Sequence, residues 1–129
     1  MDYKELLEKA KEASKNTYSP YSNFPVGACL VTPSGKTFIG TNVENASFGA
    51  TICAERSAIM NMVVNGEREI ETIAIYGPKM KMCAPCGICR QVIAEFKLKN
   101  GTTHIVLEGE DGEPKAFTLE EILPLGFEL

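Results

Sequence analysis

The spacing of hydrophobic residues near the start of the chain predicts a helix followed by a loop. Over residues 2–14, two leucines and two alanines recur at helical spacing with charged residues between them, which is typical of an amphipathic helix. Residues 16–25 instead contain two each of proline, serine, asparagine and tyrosine. This composition predicts an irregular segment that crosses the surface or lines a cleft.

Short apolar runs further along the chain predict strands. Residues 26–31 and 37–43 flank a turn-forming segment, 33–36, that contains Pro, Ser and Gly, so the two runs are predicted to pair as a hairpin. Residues 70–76 are rich in isoleucine and stop at a Gly-Pro pair, and residues 104–107 form a shorter apolar run. Both are predicted to be strands.

Three later segments are predicted to be helices. Residues 53–64 contain no Gly or Pro and end before Gly66, and residues 86–96 follow Pro85 and end before an Asn-Gly pair. Residues 119–123 are predicted to form a short helix. Strands that alternate with helices indicate a layered α/β domain, with an antiparallel hairpin first and crossover connections later.

Length and composition predict one compact domain over residues 1–129. The chain is 44% hydrophobic and 23% charged, and it is too short for two ordinary domains. Charges interrupt the N-terminal residues and no apolar run approaches the roughly 18 residues of a membrane span, so a cytoplasmic protein without a membrane partner is expected. A net charge of -4 argues against a nucleic-acid partner.

The cysteines are candidate metal ligands. Five cysteines, an odd number, indicate reduced thiols or metal ligands more than disulfides. Cys53 begins one predicted helix, and Cys86 and Cys89 lie one turn apart at the start of another. Exposed amides and the dipole at a helix N-terminus favour the thiolate, which is the form that binds zinc. These three cysteines are therefore predicted to hold one Zn²⁺ ion per chain.

Glu55 and Arg56 follow the first ligand and are candidates for supporting roles. Glu55 lies two positions after Cys53, so its carboxylate can sit beside the metal without binding it and can carry protons during a hydrolysis. Arg56 can donate to a ligand sulfur and withdraw negative charge from a three-thiolate site. An ordinary surface charge on the helix is the alternative interpretation of Arg56.

Other interpretations of the cysteines stay open. A Cys-x-x-Cys pair on its own can also hold a structural zinc ion or perform redox chemistry. Cys83 lies three residues before Cys86, so it could add a fourth thiolate and leave no position for water. Cys29 is interpreted as a small apolar strand residue, and His104, the single histidine, as a packing or surface residue.

Four segments of the chain together resemble the small cytidine deaminases. They are Tyr21-Ser22-Asn23-Phe24-Pro25-Val26-Gly27-Ala28, Asn42-Val43-Glu44-Asn45-Ala46-Ser47, Cys53-Ala54-Glu55-Arg56 and Pro85-Cys86-Gly87-Ile88-Cys89-Arg90-Gln91. The resemblance implies a three-layer α/β/α fold with a mixed sheet of about five strands, and a homotetramer. It also implies zinc-dependent hydrolysis of cytidine and 2′-deoxycytidine to the uridines and ammonia, in pyrimidine salvage.

The resemblance also implies roles for individual residues. The position that matches Glu55 protonates N3 of the base and then the departing amine, while the backbone at Ala54 and Ala84 holds the edge of the base. Phe24 matches an aromatic residue that packs against the pyrimidine. Phe127 matches an aromatic residue that reaches into a neighbouring subunit's pocket.

Asn42 and Glu44 are the candidate sugar-binding pair. They lie two positions apart at the end of a predicted strand, so both side chains point to the same side and can hold one hydroxyl. No cluster of Arg or Lys lies nearby to bind a 5′-phosphate. A free cytosine nucleoside is therefore the expected small-molecule ligand.

The sequence departs from the family pattern at two positions. Phe48 stands where the family often has Tyr, and Ile88 stands where it has a small residue such as Ala. Ile88 lies between two predicted ligands and could narrow the site. A modified cytosine nucleoside or a nucleoside antibiotic is therefore an alternative substrate, and a non-catalytic structural zinc module is the alternative function.

Overall fold

The computed structural model describes residues 1–129 and contains four α-helices, five strands and one short 3₁₀ helix. The helices are α1 (Tyr3–Ser14), α2 (Ala54–Val64), α3 (Gly87–Glu95) and α4 (Leu119–Ile122). The strands are β1 (Gly27–Val31), β2 (Thr37–Thr41), β3 (Thr72–Tyr76), β4 (His104–Glu108) and β5 (Pro114–Thr118). The 3₁₀ helix covers Phe48–Ala50. No helix combines the length and the apolar character needed to cross a membrane.

The strands form a single mixed sheet in the order β2-β1-β3-β4-β5. β1 pairs antiparallel with both β2 and β3, and β5 pairs antiparallel with β4. β3 and β4 run parallel, and α3 connects them. The predicted hairpin and the predicted later crossover are therefore both present.

Alternation along the central strands gives the sheet two apolar faces. Leu30, Ile73 and Ile105 are completely buried on one face, in a cluster that includes residues of α2 and α3. Cys29 and Ala74 point to the other face and pack against α1. The sheet is thus covered by helices on both sides, which confirms the predicted three-layer α/β/α fold.

The close approach of α2 to the sheet depends on a glycine. A Cβ atom at Gly40 in β2 would lie 2.3 Å from the backbone nitrogen of Ala58 and 2.6 Å from the carbonyl oxygen of Ala54. Because both are backbone atoms, α2 would have to move to accommodate any side chain. Gly40 therefore sets the position of the helix whose first turn carries Glu55.

Two strands differ from the predictions made from the hydrophobic pattern. β5 is missing from those predictions because it is an edge strand with no buried residue, and its sequence begins Pro-Lys. β2 ends at Thr41 and not at residue 43, so Asn42 and Glu44 follow the strand. The strand is shorter than predicted, but Val43 still forms β-bridges to Tyr18 and Ile52, and the side chains of Asn42 and Glu44 line the same cavity, as the prediction for this pair required.

Candidate metal centre and active site

Two helix N-termini bring three cysteines together. Cys53 is the N-cap residue of α2, Cys86 is the N-cap residue of α3, and Cys89 lies in the first turn of α3. Their Sγ atoms all lie within 4.8 Å of one another. Neither N-cap cysteine uses its side chain to cap its helix. The sulfurs are therefore free to bind a common ion.

The surroundings favour ionised sulfur at this cluster. A hydrogen bond from the Cys89 thiol, supported by Arg56, lowers the pKa of Cys53 to about 5 although partial burial opposes ionisation. Arg56 Nη2 lies 3.5 Å from Cys53 Sγ and donates to the carbonyl oxygen of Thr51 at 3.4 Å. The predicted contact between Arg56 and a cluster sulfur is thus present.

The donor set fits zinc with one position left open. Zn²⁺ takes thiolates in a tetrahedral arrangement, and three of them leave one position for water or substrate. Cys83 is not part of the cluster and instead packs in the apolar core and lines the adjoining cavity. Burial raises the pKa of the Cys83 thiol to about 11. The closed four-thiolate alternative is therefore wrong.

Glu55 lies beside the sulfurs and is not grouped with them as a ligand. Its side chain is only 4% exposed, and burial raises the pKa of its carboxyl to about 7. A hydrogen bond from the backbone nitrogen of Glu55 itself is the main effect that opposes this rise in pKa. A carboxyl group held in this way can both accept and donate a proton near neutral pH.

An open cavity of about 430 Å³ adjoins the sulfur cluster. Ten of its fifteen lining residues are hydrophobic, so it suits a flat organic ring held by a few polar groups. Most of the residues predicted to form the site line it: Phe24, Asn42, Glu44, Cys53, Ala54, Glu55, Ala84 and Cys86. The fold thus brings together residues that are up to 62 positions apart in the chain.

Asn42 forms more hydrogen bonds within the protein than its predicted role in sugar binding suggested. Its Oδ1 accepts hydrogen bonds from Thr17 Oγ1 at 2.6 Å and from the backbone nitrogen of Val26 at 3.0 Å. Its Nδ2 donates to the carbonyl oxygen of Phe24 at 2.8 Å. Asn42 therefore fixes the predicted loop around one side of the cavity.

Glu44 anchors the same loop at a second place. Its Oε1 accepts from the backbone nitrogens of Tyr21 and Ser22 at 2.9 and 3.0 Å, and the Ser22 hydroxyl donates to Oε2. The bonds from Ser22 and Tyr21 lower the pKa of Glu44. Glu44 is thus held as a carboxylate at the mouth of the cavity.

Phe127 is a predicted site residue that lies neither in the cavity nor in the sulfur cluster. The residue is 67% exposed. Its backbone is held by Gln91 of α3, whose Nε2 donates to the Phe127 carbonyl at 2.9 Å and whose Oε1 accepts from the Phe127 nitrogen at 3.3 Å. Arg90 donates to the carbonyl oxygen of Ile122 and fixes the preceding residues. The C-terminal segment therefore presents Phe127 outward.

Comparison with known proteins agrees with this geometry. Residues 1–105 match the family described as the cytidine and deoxycytidylate deaminase zinc-binding region. The chain is also 40% identical, over 123 residues, to a cytidine deaminase of Mycoplasma genitalium, and the match covers 95% of this chain and 92% of that protein. The chain belongs to the cytidine deaminase family.

Solved structures of cytidine deaminases share the fold of the whole chain. A crystal structure of cytidine deaminase from Burkholderia pseudomallei is 43% identical, has a TM-score of 0.89, and covers 98% of this chain and 100% of its own. The structure from Mycobacterium tuberculosis is 32% identical with a TM-score of 0.85, and covers 100% and 99%. This cytidine deaminase family member is therefore an enzyme, and its sulfur cluster suits the zinc that the family's matched region binds.

Sequence reasoning missed several residues around the site of this family member. Thr17, Ser22 and Gln91 each bond to a candidate site residue that is distant in sequence. Periodic spacing of hydrophobic residues predicts helices and strands, but it does not predict which distant residue a polar side chain will bond to. These contacts could therefore not be predicted from the sequence. Cys29 is a buried residue of β1 that packs in the apolar core, and His104 is a partly buried residue of β4 beside Tyr3, as expected for both.

Proposed function

We propose that this deaminase hydrolyses cytidine and 2′-deoxycytidine to uridine and 2′-deoxyuridine, releasing ammonia, and so serves pyrimidine salvage in the cytoplasm. The observation that carries the proposal is the buried carboxyl of Glu55 beside three clustered sulfurs, in a mostly apolar cavity. The family match and the cytidine deaminases among its relatives support the same reaction.

Cys53, Cys86 and Cys89 would hold the zinc ion. When bound there, the ion would lower the pKa of a water molecule so that the water can attack C4 of cytosine at neutral pH. Arg56 would offset the negative charge of the three thiolates through its contact with Cys53. In the overall reaction a C–O bond forms, the C–N bond to the amino group breaks, and one water is consumed.

Glu55 would transfer protons within the cavity. Its carboxylate would take one proton from the attacking water and deliver it to N3 of the base. It would then take the remaining proton of that oxygen, now bonded to C4, and deliver it to the departing amine. Burial supports this role, because a carboxyl group with little exposure to solvent exchanges its proton with the substrate and not with bulk water.

The walls of the cavity would position the base and the sugar. Phe24 would pack against the pyrimidine, while backbone groups of Ala54 and Ala84 would bond to its edge; all three line the cavity. The backbone N–H of Ala54 is available for this because the first amides of a helix have no partner within it. Asn42 and Glu44 would bind a hydroxyl of the sugar.

The active form would be a homotetramer in which Phe127 reaches the cavity of a neighbouring subunit. Large exposed apolar side chains support assembly, among them Phe48, Ile88 and Leu125 in addition to Phe127. Phe127 lies outside the cavity of its own chain, so a second copy is the natural partner for its exposed ring.

The reaction is tested by following the ultraviolet absorbance of cytidine and 2′-deoxycytidine as the zinc-loaded protein acts on them. We expect turnover of both, and we expect Glu55→Gln to keep its zinc while kcat falls by ~10²- to 10⁴-fold, since removing a general acid-base group has an effect of that size. Zinc content is measured on the same samples.

Glu95→Gln is the matched control, because Glu95 is an exposed glutamate of α3 that does not line the cavity. It should leave kcat unchanged. A zinc-loaded protein that acts only on modified cytosine nucleosides would correct the substrate. Full zinc occupancy without turnover of any cytosine nucleoside would instead support the structural zinc module.

A further inference from the structure

The hydroxyl of Thr17, just beyond the end of α1, lies against the candidate sugar site. Its Oγ1 is 2.6 Å from Asn42 Oδ1 and 3.0 Å from the hydroxyl of Ser19. An amide oxygen accepts hydrogen bonds and cannot donate them, so the hydrogen in the contact with Asn42 comes from Thr17. Thr17 therefore donates a hydrogen bond to Asn42. Thr17 itself does not line the cavity.

Counting donors and acceptors leaves Asn42 with one free polar hydrogen. The two lone pairs of Oδ1 are filled by Thr17 and by the backbone nitrogen of Val26. One hydrogen of Nδ2 goes to the carbonyl oxygen of Phe24. The second hydrogen of Nδ2 is the only polar group of the side chain that remains for a ligand.

The same count leaves Glu44 with free acceptor capacity on one oxygen. Oε1 already accepts from the backbone nitrogens of Tyr21 and Ser22, and Oε2 accepts from the Ser22 hydroxyl. A further lone pair on Oε2 remains. Asn42 and Glu44 together thus offer one donor and one acceptor to the cavity, which is the complement of a single hydroxyl group.

We propose that Thr17 is a positioning residue for substrate recognition: its hydroxyl fixes the amide of Asn42, so that the remaining N–H is aimed at one hydroxyl of the nucleoside sugar. This inference rests on the proposed function, since it names how the sugar of that substrate is held. With the Thr17 hydroxyl removed, Oδ1 keeps only its bond to Val26, and the donor that meets the substrate is less well fixed.

The backbone around Thr17 does not depend on its hydroxyl. The nitrogen of Tyr18 donates to the carbonyl oxygen of Asn42 at 3.1 Å, and the nitrogen of Glu44 donates to the carbonyl oxygen of Tyr18 at 2.8 Å. These two bonds hold the adjacent segments together. Thr17→Val keeps the branched shape of the side chain and removes the hydroxyl, and with it the contacts to Asn42 and to Ser19.

The test measures kcat and KM of the zinc-loaded protein for cytidine, 2′-deoxycytidine and 3′-deoxycytidine. We expect Thr17→Val to raise KM by ~3- to 10-fold, the range that one neutral hydrogen bond supplies, for nucleosides that carry the bound hydroxyl. KM for the analogue that lacks this hydroxyl should stay the same, and kcat should change little. Thr17→Ser, which restores the donor, should return KM to the wild-type value.

Thr41→Val is the matched control, because the Thr41 hydroxyl donates to the carbonyl oxygen of Val26 in the same region and does not touch the Asn42 side chain. Equal KM increases for all three nucleosides in Thr17→Val, or the same selective increase in Thr41→Val, would overturn the positioning role. So would a wild-type protein that does not distinguish the three nucleosides. A zinc-loaded wild type that converts none of them contradicts the proposed function itself.

Discussion

Arg56 is a positively charged residue in contact with the sulfur cluster. Three thiolates around a divalent ion leave one excess negative charge, and burying such a charge without compensation is unfavourable. The guanidinium lies 3.5 Å from Cys53 Sγ, and its Nε is buried without a hydrogen-bond partner in the chain. The positive charge of the guanidinium is placed to offset this excess negative charge.

Replacing Arg56 should weaken zinc binding. We expect Arg56→Ala to reduce zinc affinity by ~10- to 100-fold, the usual consequence of removing a group that bonds to a metal ligand. Competition with a chromogenic chelator measures the affinity directly and does not depend on activity.

Arg68→Ala is the matched control for this change, because it removes the same charge from an arginine whose guanidinium donates to the carbonyl oxygens of Val63 and Glu67. Its zinc affinity should equal that of the wild type. If Arg56→Ala held zinc as tightly as Arg68→Ala does, the contact with Cys53 would have no part in metal binding.

At the scale of secondary-structure elements, the packing of α2 on β2 fixes the geometry of the site. Both Glu55 and the Cys53 cap move with α2, and the helix rests on the backbone of β2 at Gly40. A helix that shifts by a fraction of an ångström would carry Glu55 away from the two cysteines of α3. Stability and activity are therefore coupled at this glycine.

Adding one methyl group at Gly40 tests that coupling. We expect Gly40→Ala to destabilise the protein by ~1–3 kcal/mol, as overpacking in a dense interior does, and to lower kcat because Glu55 is displaced. Denaturant unfolding at fixed zinc and subunit concentrations measures the first effect, and the cytidine assay measures the second.

Gly49→Ala provides the comparison, since a Cβ at Gly49 would meet no atom within 4 Å. It should leave both the unfolding midpoint and kcat near wild type. A Gly40→Ala protein with normal stability would mean that α2 can move freely at no energetic cost, which would contradict the proposed constraint.

The sequence predicted well those helices and strands whose own residues carry a recognisable pattern of hydrophobic spacing or a short motif. α1 has apolar residues at helical spacing, the central strands are short, nearly continuous apolar runs, and the cysteines and Glu55 lie within short motifs at helix starts. β5 has no such signal, because an exposed edge strand gains its order from pairing with β4. Its existence followed only from the family resemblance.

The hydrogen bonds that position the candidate site residues could not be predicted from the sequence, for a related reason. The bond between Thr17 and Asn42 joins residues 25 positions apart, and Glu44 bonds to the loop 22 and 23 positions before it. Such contacts are set by how β2 and the loop fold together, and many polar pairs would be equally compatible with the sequence. The chemistry was therefore predictable, while the positioning network was not.

At the scale of the whole molecule, the C-terminal segment holds the exposed aromatic residue Phe127 on a backbone that is fixed to α3. Gln91 bonds to both backbone polar groups of Phe127, and Arg90 bonds to the carbonyl oxygen of Ile122, so the segment is tied to the helix that carries Cys89. Phe127 as a whole is 67% exposed. A fixed backbone under an exposed aromatic side chain is the arrangement expected of a residue that inserts into a partner.

Hybrid assemblies can show whether Phe127 acts across a subunit boundary. Glu55→Gln chains lack the proton carrier, and Phe127→Ala chains lack the ring, so each variant alone should have low activity. If the ring reaches a neighbouring cavity, hybrids contain cavities with an intact Glu55 from one chain and an intact Phe127 from the other. Co-refolding the two variants in equal amounts should then restore about a quarter of the wild-type activity, because random symmetric assembly pairs the two intact contributions at that frequency.

The same two variants, assembled separately and then mixed without unfolding, form the control and should show only the sum of their low activities. Light scattering on the refolded sample should give the mass of a tetramer, since a monomer could not share residues between chains. Activity after co-refolding no higher than in this control would mean that each cavity works with the residues of its own chain. Phe127 would then be an exposed surface residue, and the firm hold of Gln91 on its backbone would serve only to anchor the C-terminal segment to α3.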